Sequence, residues 1–279
     1  MLKQIHRYFF LLSGLMLFAA SASAAEDETI WQNELKERYF AGRSITESDA
    51  VIQIEAPYRA EDPALVPLKI RTKLPQSEGR YIKKILVLVD KNPFPFVGEF
   101  ELTPKSGKAD LAMRVRVNTY SFVRAIAEMN NGELFMTKKF VKASGGCSAP
   151  IGADLDAAMK RLGKMKLKLA GDIKPDQPTE AQLFISHPNI TGMQMDQVTR
   201  FVRKSHFVKQ VKVTLDNEPI LTAKTDIAIS ADPNFRFYFI PKKAGLLKAE
   251  FTDTSCQSPT DRSVCSEGQT YTENFQVNP

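Results

Sequence analysis

The sequence predicts a mainly β protein, two β-sandwiches joined by a helix-containing linker. Three observations lead there. Short segments of alternating apolar and polar residues run from about residue 51 to 141, with Pro, Gly, Asn or Ser at most junctions. A second such series follows residue 180. Between them lies a stretch of different character, glycine-rich, then charged, then proline-containing.

The elements follow in order. Trp31, Leu35 and Tyr39 fall four apart, which predicts a short helix over Trp31 to Phe40. Strands are predicted at Val51–Ile54, Leu65–Lys73, Tyr81–Val89, Leu111–Val117, Ser121–Glu128 and Leu134–Val141. Asn130-Asn131-Gly132 supplies a turn between the last two. Asp154 to Leu169 is predicted as an amphipathic helix. Leu155, Met159, Leu162 and Leu169 mark one side, and five cations crowd the others. Two prolines make Asp172 to Thr179 a linker. The second series has strands at Ala181–Ser186, Val208–Leu215, Ile220–Ala223, the Phe235-Phe237-Phe239 stretch, Leu246–Thr252 and Thr270–Val277. Asp216-Asn217-Glu218-Pro219 makes a hairpin of the second and third. The expected boundaries are a first sandwich at 31–150, a basic helix and linker at 151–179, and a second sandwich at 180–279.

Residues 1–24 are expected to be a cleaved secretory signal. Lys3 and Arg7 precede an apolar run from Tyr8 to Ala20, and Ala22-Ser23-Ala24 offers small residues for cleavage. That run is shorter than the ~20 residues that span a bilayer. An exported, soluble mature chain with no membrane span is therefore expected. Without Lys3 and Arg7 the formal charge falls from +6 to +4. No cationic block is interleaved with aromatics, which argues against a nucleic-acid partner.

Three cysteines are present, an odd number for an exported chain. Cys256 and Cys265 flank a polar stretch that reads as a loop between strands. An oxidising compartment favours bridging them, for roughly 2–3 kcal/mol. Cys147 is then left over.

Most catalytic constellations are missing. Only His6, His187 and His206 are present, without metal-ligand spacing, so neither a metal site nor a cofactor is expected. There is no Gly-rich phosphate loop and no nucleophile elbow. His187 and His206 read as structural. What remains is Ser144-Gly145-Gly146-Cys147-Ser148-Ala149. Small residues and two glycines after the last strand of a sandwich predict a mobile arm hinged at Gly145 and Gly146. Its thiol is expected to be exposed, to ionise near 8.5, and to reach roughly 20 Å from the sandwich. Such a group suits a carrier, which needs reach and lacks the fixed base of a cysteine hydrolase.

These residues carry a resemblance. Ala56-Pro57, Val66-Pro67, Asn92-Pro93-Phe94-Pro95, Arg114 and Arg116 on an alternating strand, and Gly145-Gly146-Cys147 resemble SoxY. His187-Pro188, Thr191-Gly192 and Ala228-Ile229-Ser230-Ala231-Asp232-Pro233 resemble SoxZ. The chain therefore looks like a fusion of the two halves of the periplasmic sulfur-carrier complex of thiosulfate oxidation. The resemblance implies two immunoglobulin-like sandwiches packed together, with Cys147 as the attachment point for a sulfur substrate. It also suggests as partners periplasmic redox or sulfur enzymes, among them a pyrroloquinoline-quinone (PQQ) dehydrogenase and a c-type cytochrome. In the family the arm ends the SoxY chain and glycines follow its cysteine. Here Ser148 and Ala149 follow and the chain continues, so this arm is tethered at both ends.

Three functions compete on these grounds. A covalent carrier uses Cys147 for an S-linked adduct and is not an enzyme. A docking module binds a quinoprotein dehydrogenase or its cytochrome, with Cys147 incidental. A cysteine-nucleophile enzyme requires His187 or His206 within hydrogen-bond reach of Cys147.

Overall fold

Alternation along the strands decides which face each residue presents, and the faces meet in one core. The computed structural model describes residues 27–150, 155–256 and 264–279. The expected signal segment lies outside these residues. From the first half come β1 (Thr46–Glu47), β2 (Ile52–Glu55), β3 (Val66–Thr72), β4 (Ile82–Val89), β5 (Phe96–Leu102), β6 (Leu111–Val115), β7 (Ser121–Met129) and β8 (Leu134–Val141). The second half supplies β9 (Met165–Leu169), β10 (Thr179–Ile185), β11 (Ser205–Leu215), β12 (Glu218–Thr225), β13 (Asn234–Phe239), β14 (Gly245–Cys256) and β15 (Cys265–Val277).

Among the described residues these strands form two sheets, and each sheet runs across both halves. One has the order β1-β8-β7-β4-β5-β12-β11-β14-β15, the other β2-β3-β6-β13-β10-β9. The halves meet where β5 pairs antiparallel with β12, placing Leu102 opposite Leu221 and Phe100 opposite Ala223. In the other sheet β6 meets β13 at Ala112 and Arg236. A single buried cluster joins Leu68, Ile70 and Phe100 to Phe235, Phe237, Phe239 and Phe251. The rings of Phe100 and Phe235 lie 6.1 Å apart across the seam. The fold is thus the expected pair of sandwiches, with a shared core between them.

The helix predicted at the start is present as one π turn, Trp31–Leu35, continuing into α1 (Lys36–Phe40). Trp31, Leu35 and Phe40 bury against Leu86, Leu88, Ile126, Leu134 and Met136, on the outer face of the nine-stranded sheet.

The helix predicted over 154–169 is corrected. Of the described residues in that range only α2 (Leu155–Lys160) is helical, and Met165–Leu169 is a strand paired with β10. Gly163 ends the helical run at φ +89°, with Tyr271 closing off the space a Cβ would fill. Beyond it Met165, Leu167 and Leu169 alternate with exposed Lys166 and Lys168. That period of two outweighs the weaker helical spacing. The exposed lysines also suit an edge strand, because like charges discourage further pairing.

Candidate functional site

The arm leaves β8 at the seam between the halves, and the first half receives it. Gly145 adopts φ +81°, a conformation that favours glycine. Its N–H donates to Asn118 O at 2.7 Å, and Gly146 N–H donates to Val117 O at 3.2 Å. A Cβ on Gly146 would lie 2.1 Å from Pro63 O and 2.6 Å from Val117 O. Gly146 therefore permits close approach of backbones rather than hinge freedom. Ser148 N–H donates to Gly145 O at 3.2 Å and closes a turn around Cys147.

This overturns the expectation of an exposed, mobile thiol. Cys147 is 2% exposed and burial pushes its thiol up to about 11, only partly countered by Arg116. Glycine content alone pointed to mobility. The docking partners are distant in sequence, so nothing local announced them.

Those partners come from both halves. Cys147 N–H donates to Asn118 Oδ1 at 3.3 Å. Thr191 Oγ1 donates to Cys147 O at 2.7 Å, and Gln194 Nε2 to Ala149 O at 2.9 Å. Gln194 Oε1 accepts from Thr191 N–H, so the two clasping residues brace each other. Arg116 lies beneath the arm, 3% exposed. It donates through Nη1 to Gly146 O at 3.1 Å and through Nη2 to Asn189 O at 3.4 Å. Asn92 fixes this floor by donating to Arg116 O and accepting from Asn118 N–H.

The expected bridge between Cys256 and Cys265 is present, joining β14 to β15 across paired residues. Cys147 is the free thiol.

His187 and His206, distant in sequence, meet at Asp253. Their ring centroids are 4.6 Å apart. His206 Nε2 lies 2.9 Å from Asp253 Oδ2, and His187 Nε2 3.5 Å from the same oxygen. These ligand-type atoms all lie within 4.8 Å of one another. The hydrogen bonding nevertheless speaks against a metal. His187 Nδ1 accepts from Asn189 N–H at 3.0 Å, so the neutral ring carries its hydrogen on Nε2, where a metal would have to bind. Beneath the clasp His206 is hydrogen-bonded to Asp253, whereas His187 only faces it, its buried Nε2 unpartnered among the described residues. Asn189 joins this group to the arm's floor, because its carbonyl receives Arg116 and its side chain ties Ile229 O to Val208 N–H. Neither histidine is hydrogen-bonded to Cys147 among the described residues.

Burial lowers His187 below the ordinary histidine range, and this outweighs the attraction of Asp253. The unfolded chain therefore binds this proton near pH 6.5 while the folded chain resists it. Stability is expected to be fully present above that pH and to fall as pH drops below it. Urea midpoints at pH 7.5, 6.5 and 5.5 check this, and His187→Gln should flatten the slope.

Sequence reasoning found Cys147 and its glycines. Arg116 and Thr191 stand in it only as parts of motifs, and Asn118, Asn189, Gln194 and Asp253 carry no local signal.

Comparison with known proteins finds two family matches in the chain. Residues 36–147 match the family described as sulfur oxidation protein SoxY, and residues 167–264 match sulphur oxidation protein SoxZ. Among solved structures, the sulfur carrier protein SoxY from Chlorobium limicola f thiosulfatophilum is 27% identical. It covers 40% of this chain and 90% of its own, with a TM-score of 0.34. The superoxide reductase (neelaredoxin) from Ignicoccus hospitalis is 18% identical, covering 33% of this chain and 79% of its own, with a TM-score of 0.30. A putative superoxide reductase from Thermotoga maritima is also 18% identical, covering 36% and 92%, with a TM-score of 0.31. The search of curated proteins found no match.

Proposed function

Because this chain is a SoxY–SoxZ fusion, we propose that it is a periplasmic sulfur carrier whose Cys147 holds a covalent adduct and moves it between partner enzymes. The observation that carries this reading is the placement of the free thiol. It stands on an irregular arm, clasped at the seam of the two family domains by side chains from both. A core cysteine would need no clasp.

Burial defines the resting position of such an arm. The segment 145–149 belongs to no strand and is held by a handful of hydrogen bonds. Each contributes about 0.5–1.5 kcal/mol net. Release is then a local opening that costs less than unfolding the sandwich. The docked state shields a labile sulfur adduct from water and stray thiols, and the released state offers it to an enzyme. Since both ends of the arm continue into folded chain, it enters a partner as a loop.

Loading constrains the partners. Joining the Cys147 thiol to the outer sulfur of a thiosulfate-like anion forms one S–S bond and releases one proton and two electrons. A redox protein must take those electrons, which fits a c-type cytochrome. Export is supported by the leader-like residues 1–24 and the bridge between Cys256 and Cys265. No helix among the described residues is long and apolar enough to cross a membrane.

A second reading makes the chain a docking module for a PQQ dehydrogenase or its cytochrome, with Cys147 incidental. One observation favours it. The loop after the clasp exposes Met195, Val198, Phe201 and Val202, with Val198 91% and Phe201 77% accessible. Exposed apolar groups of this kind mark interaction surfaces. In the carrier reading the same loop receives the loading enzyme beside the arm.

Peptide mass analysis of protein purified from its native host, without reductant, separates the two. A carrier shows a reductant-labile addition on Cys147. A bare thiol after exposure to the sulfur donors of the host contradicts it.

A further inference from the structure

Resting on the carrier reading, we infer that Arg116 is the counter-ion of the cargo, and that the docked arm selects an anionic adduct, an S-linked sulfonate or thiosulfonate.

The starting point is a charge without a partner. Arg116 is 97% removed from solvent, as its 3% exposure states. Its described contacts are two carbonyl oxygens, of Gly146 and Asn189. No carboxylate lies within ion-pair distance of it among the described residues. Asp62, the carboxylate that acts on it from further away, is exposed and accepts from Ala64 N–H. The Nε of Arg116 has no hydrogen-bond partner among the described residues.

Such an arrangement is costly. A buried ion is tolerated when a counter-charge and hydrogen bonds replace its lost hydration. Two carbonyl dipoles replace part of it and leave the Nε donor empty. The other buried guanidinium at a comparable depth, Arg124, shows the difference. It has Asp90 on two of its nitrogens and Glu28 on a third contact.

The neighbouring sulfur cannot neutralise Arg116 while it is free, because at about 11 the thiol stays protonated at neutral pH. It can do so once it carries an anion. A sulfonate has three acceptor oxygens and a fixed negative charge, the complement of an unused guanidinium donor. Adducts that end in an anion are therefore drawn into the dock. Neutral adducts gain nothing from Arg116, and cationic ones are expelled. The positive charge thus tells cargo apart after loading, and holds the arm shut over an anionic load.

Methanethiosulfonate reagents test this on the whole chain, independently of the natural cargo. Each joins its sulfur to Cys147 Sγ as a disulfide. Methanesulfinate leaves, and the thiol proton passes to solvent. Three tails of similar size are compared: ethylsulfonate, hydroxyethyl and ethyltrimethylammonium. Labelling in urea followed by refolding removes any effect of access. The readout is the rate at which tris(3-hydroxypropyl)phosphine, a reductant that attacks as a neutral molecule, releases each tail at neutral pH. The sulfonate should leave about tenfold more slowly than the neutral tail, and the ammonium faster than both. Arg116→Met should abolish the ordering, and Arg116→Lys should keep it. Equal rates for the three tails in the wild-type chain overturn the inference, and so does an ordering that survives Arg116→Met. The wild-type series decides alone if a variant fails to fold. Native mass analysis judges the carrier reading separately. A bare Cys147 there, with charge ordering here, would sink the carrier and leave an anion site.

Discussion

Replacing Gly146 with alanine is expected to expel the arm and to raise the reactivity of Cys147 about 100-fold at pH 8. The added Cβ would meet Pro63 O at 2.1 Å and Val117 O at 2.6 Å. Both are backbone atoms, and Pro63 O already accepts from Val117 N–H, so neither can move aside without opening another pair. The docked conformation is excluded, whereas the released arm accepts alanine freely. Once exposed, the thiol relaxes from about 11 toward the ordinary cysteine range, which multiplies its thiolate fraction by about the stated factor. Reaction with an aromatic disulfide reagent, followed by absorbance, measures the change. Gly145→Ala is the control. Its Cβ meets nothing within 4 Å, but φ +81° strains it, so a smaller increase is expected. An unchanged rate in Gly146→Ala would mean that the arm is not held in this dock.

Removing Asp90 should cost the most stability, roughly 3–5 kcal/mol for Asp90→Ala. Arg124 is fully buried, between the rings of Trp31 at 4.6 Å and Phe122 at 5.2 Å. Both Asp90 oxygens accept from it. Without Asp90 only the half-buried Glu28 remains, and Glu28 is shared with Lys138. The buried cation is then under-compensated, and the packing of α1 against the sheet weakens with it. The loss reaches the site as well. Asp90 leads into Lys91 and Asn92, and Asn92 holds both Arg116 O and Asn118 N–H. Urea midpoints at neutral pH check the stability. A loss under about 1 kcal/mol would mean that water reaches Arg124 readily.

The sequence conveyed the scaffold better than the site, for physical reasons. Phe235, Phe237 and Phe239 alternate without interruption, and so do Val66, Leu68 and Ile70, so burial on one face was plain. β5 went unassigned because Gly98 and the prolines at 93 and 95 break its pattern. Met165–Leu169 reads as helix in the sequence because leucines on a neighbouring helical spacing overlap its shorter period. The dock was invisible for a different reason. Cys147 meets Thr191 44 residues away, and Arg116 meets Asn189 73 residues away. Such contacts follow from the seam between the halves, which no local pattern records. The glycines were noticed, but the same residue serves mobility and close approach alike.

Native-state labelling of Cys147 with an uncharged thiol reagent, as a function of urea below the unfolding transition, tests the carrier arm most directly. A docked arm that opens by itself gives a rate almost independent of urea, because little surface is exposed on release. The contradicting result is labelling whose urea dependence equals that of global unfolding, which would make Cys147 a core thiol and leave only the docking module.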